Sequence, residues 1–203
     1  MCDGKFVLAL PDWVGPFLEK QDSVFKDIED RMHLVVELSR LNVEHGTGGP
    51  FGAGIFNQED GRLIAVGVNV VLETNCSLAH AEMMCIGLAQ QKLKNFDLGS
   101  EGLPAYELVS STEPCAMCLG AVPWSGVRRL ICGARGQDAC EIGFDEGVKV
   151  PDWARTLENR GITVLRDVLR EEAREVLIKY KGLGGLIYNG RQATFPTKES
   201  GQS

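Results

Sequence analysis

A change of period along the chain is the strongest constraint on what it can fold into. Two short apolar runs, Ala53–Phe56 and Leu63–Val71, flank Asn57-Gln58-Glu59-Asp60-Gly61. That pattern predicts a hairpin with Asp60-Gly61 at its turn. Beyond it the spacing alternates. Helical patterns cover Ala81–Leu93, Pro114–Trp124, Trp153–Glu158 and Leu169–Lys181, and strand patterns cover Tyr106–Ser110, Val127–Cys132 and Ile162–Leu165. Pro114 is expected in a helical first turn, where its missing N–H costs nothing. Upstream, Phe25, Ile28, Met32, Val35, Val36 and Leu38 recur at helical spacing, predicting a helix from Val24 to Leu41 that ends at His45-Gly46-Thr47-Gly48-Gly49-Pro50. Strands alternating with helices imply a sheet covered on both faces, a three-layer α/β/α sandwich. A helical crossover between the last two strands makes them parallel.

This frame occupies residues 23–189 as one domain, preceded by an irregular arm over 1–22 that holds Pro11 and Pro16, and followed by a polar tail over 190–203. Gly133–Val150 is glycine-rich and acidic and is expected to be a loop with its own task. At 203 residues and 44% hydrophobic, the chain has enough apolar material for a core. With 21 Lys+Arg against 28 Asp+Glu the net charge is −7. That balance argues against a surface built on phosphates, of nucleic acid or of lipid. No apolar run reaches the roughly 18–20 residues of a membrane span. Phe6–Leu10 is too short for a secretory signal, and the C-terminal residues match neither a prenylation box nor a peroxisomal address. A cytoplasmic place is expected. The seven cysteines, odd in number and irregularly spaced, do not read as a secreted disulfide framework.

Two of those cysteines stand three apart in Cys115-Ala116-Met117-Cys118. Three positions along a helix bring side chains to one face, and the positive helix start favours thiolates. Alone, the pair reads equally as a redox couple, two buried small side chains or a metal clamp. His80-Ala81-Glu82 is also uninformative alone. Together they offer one imidazole and two thiolates. Structural zinc sites close with four protein ligands, whereas three leave a position for water. Bound zinc brings that water's pKa toward neutrality, and a nearby carboxylate can move its proton. His-x-Glu followed by Pro-Cys-x-x-Cys is the pattern of zinc nucleobase deaminases. His33 and His45 are read as structural.

From about Val24 to Asn189 the chain resembles the cytidine deaminase superfamily, and within it the guanine deaminases of bacterial type. The likeness rests on Gly49-Pro50-Phe51-Gly52-Ala53, Asn69, His80-Ala81-Glu82, and Glu113-Pro114-Cys115-Ala116-Met117-Cys118-Leu119-Gly120-Ala121 running on to Trp124. Ile142-Gly143-Phe144-Asp145-Glu146-Gly147 is similar to the substrate-reading loop of one guanine deaminase subgroup. The resemblance implies a five-stranded mixed sheet of order 2-1-3-4-5 and a homodimer. It implies zinc (Zn2+) on His80, Cys115 and Cys118, proton transfer by Glu82, and Glu146 as a second catalytic carboxylate. Asn69 and Ala81 would bind the base, with Phe51 and Trp124 lining the pocket. Tyr188, in the flexible Gly182–Tyr188 stretch, would contribute to a lid.

Glu146 also has a chemical argument. Guanine presents N1–H and its 2-amino group as adjacent donors, and an ionised carboxylate only accepts. The implied reaction is hydrolytic deamination of guanine to xanthine and ammonia. Guanosine or an aminotriazine such as ammeline is the alternative small substrate. A tRNA adenosine deaminase finds little basic surface here beyond Arg128-Arg129, and a non-catalytic zinc scaffold has no use for Glu82.

Overall fold

In the computed structural model, which describes residue 4 and residues 6–190, the hairpin and the alternating elements build one five-stranded sheet. In chain order the elements are α1 (Val14–Leu18), α2 (Ile28–Glu44), β1 (Gly52–Asn57), β2 (Leu63–Val68), α3 (Val71–Thr74), α4 (Ala81–Leu93) and β3 (Tyr106–Thr112). They continue with α5 (Ala116–Ser125), β4 (Arg129–Ala134), α6 (Gly136–Ile142), α7 (Trp153–Glu158), β5 (Thr163–Leu165) and α8 (Arg170–Gly182). The sheet order is β2-β1-β3-β4-β5, as the resemblance implied. β1 is antiparallel to β2 and β3, while β3, β4 and β5 run parallel.

Strand periodicity divides the core into two layers. Phe56, Val109 and Ile131 point to one face, where they pack with Met32, Val35 and Leu38 of α2 and Val176 and Leu177 of α8. Ile55, Leu108, Leu130 and Cys132 point to the other, against Cys85, Ile86 and Ala89 of α4 and Val122 of α5. α4 lies very close to β2. A Cβ on Gly67 would stand 2.0 Å from the Ala81 carbonyl, so glycine there lets the helix seat directly on the strand.

Local pattern was overridden at several points. Val24 and Phe25 do not begin α2. Val24 bridges Arg62, and the Phe25 N–H donates to the Gly61 carbonyl, so both belong to the hairpin. The arm is not wholly irregular, because α1 forms within it. Trp13 donates from Nε1 to Thr47 Oγ1 at 3.0 Å and stacks on His45 at 5.1 Å, which gives that histidine a structural role. β2 ends at Val68 and α3 follows. Pro114 precedes the helix instead of occupying its first turn, because Cys115, extended at ψ 171°, is the N-cap of α5. The expected 133–150 loop contains α6. Asp138, 2% exposed, ties it to Arg170 and Arg174 of α8, and Gly143 at φ +115° closes it. The expected tail lies, from residue 191 on, outside the described residues. Among the described residues no helix is long and apolar enough to cross a membrane.

Candidate active site

The register gathers the chemistry at one edge of the sheet. Gly52 pairs with Val68, Ala53 with Ser110, and Ser110 with Cys132. The start of β1 and the ends of β2, β3 and β4 therefore lie side by side. Phe51, Asn69, Glu113 and Arg135 are the residues just beyond them. Helices α4 and α5 start at this edge too, with His80 and Cys115 as their respective N-caps.

His80 Nδ1 lies 3.5 Å from Cys115 Sγ and 3.6 Å from Cys118 Sγ, and the three ligand atoms are all within 4.8 Å of one another. A tetrahedral ion with Zn–S and Zn–N lengths of about 2.3 and 2.0 Å separates N from S by about 3.5 Å. The three atoms fit such an ion. Their acid–base chemistry fits as well. A hydrogen bond with Cys118, together with His80, pulls the Cys115 thiol down to about 4. Cys118, bonded to Cys115 and buried, is pushed the opposite way. Two adjacent buried thiols do not both ionise unaided, and a divalent cation removes that conflict. Burial opposes charge on His80, but Cys115 and Glu82 outweigh it and raise its pKa.

Glu82, 6% exposed, reaches back from the first turn of α4, where Ser110 Oγ sits 3.4 Å from its Oε1. Burial first, and the Cys115 thiolate second, raise its pKa, so it retains a proton more readily than a solvated acid does. Glu146 arrives from the segment after α6, with its side chain 10% exposed. Burial pushes it up to about 7 against the opposing charge of Lys149.

His80, Glu82, Cys115 and Glu146 line a cavity of about 340 Å³, together with Phe51, Ser77, Glu113, Met117, Phe144 and Tyr188. The volume is at the small end for ligand sites, about 300–1,000 Å³. Phe144 forms edge contacts with Phe51 at 5.1 Å and with Tyr188 at 5.0 Å, making an aromatic wall. Among the described residues, Glu146 Oε2, Tyr188 Oη and Asn69 Nδ2 are buried with no hydrogen-bond partner. Asn69 follows β2, and its backbone carbonyl is held by Asn42 Nδ2 at 2.8 Å. The glycine-rich turn serves that anchor, since a Cβ on Gly48 would stand 1.8 Å from the same carbonyl.

Two expected substrate-binding residues are placed elsewhere. Trp124 is 85% exposed and does not line the cavity, because nine residues of helix carry it roughly 14 Å from Cys115. Ala81 is fully buried in the core layer beneath α4, leaving only its backbone amide at the helix start to offer a ligand. Sequence reasoning placed Phe144 in the expected substrate-reading loop and Glu113 in the cysteine motif without a role of their own, and it passed over Lys149.

Comparison with known proteins agrees with this geometry. Residues 25–134 match the family described as cytidine and deoxycytidylate deaminase zinc-binding region. A guanine deaminase of Bacillus subtilis is 38% identical over 136 residues, which is 67% of this chain and 83% of the relative. A tRNA-specific adenosine deaminase of Agrobacterium fabrum is 34% identical over 123 residues, covering 56% of this chain and 76% of that one. Among solved structures, a guanine deaminase from Nitrosomonas europaea superposes with a TM-score of 0.84 at 46% identity, over 88% of this chain and 97% of the other. The matched stretch, 25–134, takes in His80, Glu82, Cys115 and Cys118, and the chain belongs to the cytidine and deoxycytidylate deaminase zinc-binding family.

Proposed function

We propose that this chain hydrolytically deaminates guanine to xanthine and ammonia. The observation carrying this reading is Glu146, a buried carboxylate whose Oε2 accepts no hydrogen bond from the described residues, on the cavity that His80, Cys115 and Glu82 also line. Such an oxygen accepts from the adjacent N1–H and 2-amino donors of guanine. Adenine would turn a lone pair toward it.

His80, Cys115 and Cys118 would hold a zinc ion, which would supply a water acidified toward neutral pH. Glu82 would accept a proton from the attacking water and deliver it to N3 of the base as C2 gains its oxygen. It then moves the second proton to the departing amino group, assisted by Glu146, and the C2 carbonyl forms as ammonia leaves. Phe51, Phe144 and Tyr188 exclude water from a planar base. Asn69 Nδ2 provides a donor for one of its acceptors.

The cavity takes a small molecule, and the net charge of −7 disfavours a tRNA backbone. A homodimer is supported by the apolar surface left on α5 and beside it, where Trp124, Val148 and Val150 are 85%, 98% and 54% exposed. Free thiols at every described cysteine are in keeping with a cytoplasmic setting.

The test is ammonia release by the zinc-loaded protein from guanine, guanosine, adenine, cytosine, ammeline and a tRNA anticodon stem-loop. Guanine is expected to be turned over fastest, with xanthine as product. Release from the stem-loop with none from guanine would replace this reading by tRNA editing.

A further inference from the structure

Lys149 is a charged residue that the catalytic scheme leaves unused, yet its side chain is only 16% exposed. Its ammonium donates to the Pro114 carbonyl at 3.2 Å and lies 3.6 Å from Glu146 Oε2. On its third side is Gly136, where a Cβ would come within 2.6 Å of Nζ. Glycine at the start of α6 thus creates the niche that the ammonium fills. The same Cβ would lie 3.6 Å from Glu113 Oε2 and 3.7 Å from Glu146 Oε2, so glycine there also keeps a side chain clear of both carboxylates. Glu113 has its own partners, Arg166 and the Gly136 N–H, whereas Glu146 has no hydrogen-bond donor among the described residues.

The backbone makes the arrangement directional. The Glu146 carbonyl accepts from the Ala116 N–H at 2.9 Å, and Gly147 N–H donates to Asp145 Oδ1 at 2.9 Å. The segment is therefore docked on the start of α5 by its main chain, independently of Lys149. What remains free is the direction of the Glu146 carboxylate, and Lys149 is the cation beside it.

We propose that Lys149 is a positioning residue for Glu146: seated between the Pro114 carbonyl and Gly136, its ammonium fixes where that carboxylate meets the donor edge of the substrate. This rests on the guanine reading above. Burial does most to disfavour the charged carboxylate, and Lys149 is foremost among the groups that oppose it.

Two variants approach the same point from different sides. Lys149→Met keeps the stem and removes the charge. Gly136→Ala keeps the lysine but displaces its flexible tip, and Gly136 has no left-handed backbone angle to forbid alanine. Each is expected to lower kcat/KM for guanine about 10- to 100-fold, the scale of a misplaced reacting group. Zinc content should stay at the wild-type value and Tm within about 3 °C of it. The discriminating readout is Lys149→Met placed on Glu146→Gln. Acting through Glu146, it should add no further loss there, whereas a general brace for the loop costs the same factor in either background. Affinity for xanthine by calorimetry provides the same comparison where rates are too low. Wild-type rates in both variants, equal losses in both backgrounds, or loss of zinc or folding in both variants would overturn the proposal. The guanine reading fails separately, on the wild-type protein's inactivity toward guanine.

Discussion

His80 and Cys115, 35 residues apart in sequence, stand with Nδ1 and Sγ at 3.5 Å because each is the N-cap of its own helix and both helices start at one edge of the sheet. An N-cap is extended while the residues after it are helical, so its side chain faces the helix entrance. Cys118, one turn further along α5, completes the trio, and Glu82, two residues after His80, is brought beside it. The gathering of three candidate metal ligands and a buried acid thus follows from where two helices begin.

Replacing Glu82 by Gln preserves shape and removes the proton carrier. The variant should bind zinc as the wild type does and lose about 10²–10⁴-fold in kcat, the range of general acid–base catalysis. Metal analysis alongside initial rates checks both halves.

The Glu146 carboxyl is pushed up to about 7 from an ordinary 4.5. A raised acid binds more protons in the folded state, so its stabilising contribution is present below about 4.5 and is lost as pH rises through 7. Removing the ionisable group should therefore help at high pH only. Glu146→Gln is expected to make the metal-free protein more stable than wild type at pH 8, by on the order of 2 kcal/mol, and equal to it at pH 4. Urea unfolding at the two pH values measures this.

Gly48→Ala would drive a methyl group against the Asn69 carbonyl, which stands 1.8 Å from the new Cβ. Overpacking of this kind costs about 1–3 kcal/mol. Because Asn69 must move, KM for guanine should rise more than kcat falls. Steady-state kinetics together with thermal melting separates the two effects.

Glu107 is fully buried in β3, paired with Arg31 at 2.5 Å and with Arg129. Deleting one member of a buried charge network leaves the others unpaired, at a cost of about 3–5 kcal/mol. Glu107→Ala should unfold at much lower denaturant than Glu82→Gln, although both remove a buried acid.

The metal trio was legible because its signal is local: His-x-Glu and Pro-Cys-x-x-Cys each lie at a helix start, and α4 spans the residues its periodicity predicted. The three-layer architecture was legible from alternation. α6 was not, since a short glycine-led, acidic segment looks like loop until Asp138 finds Arg170 and Arg174 from a distant helix. Val24 and Phe25 carry helical spacing yet pair with the hairpin, a tertiary choice that local pattern does not encode. Trp124 sits in the motif's own run, but the rise of α5 takes it away from the cavity. Lys149 was hidden for the opposite reason. In an acidic, glycine-rich stretch a lysine reads as solvated, and only the space at Gly136 shows that it is buried.

The most direct measurement is xanthine formation from guanine as zinc is titrated into metal-stripped protein, with the Glu82→Gln variant run in parallel. The rate should climb linearly and break at about one zinc per chain, as three ligands and one open position require. Glu82→Gln should take up the same zinc and form xanthine at least about 100-fold more slowly. Xanthine formation independent of zinc, or undiminished in Glu82→Gln, would contradict the account.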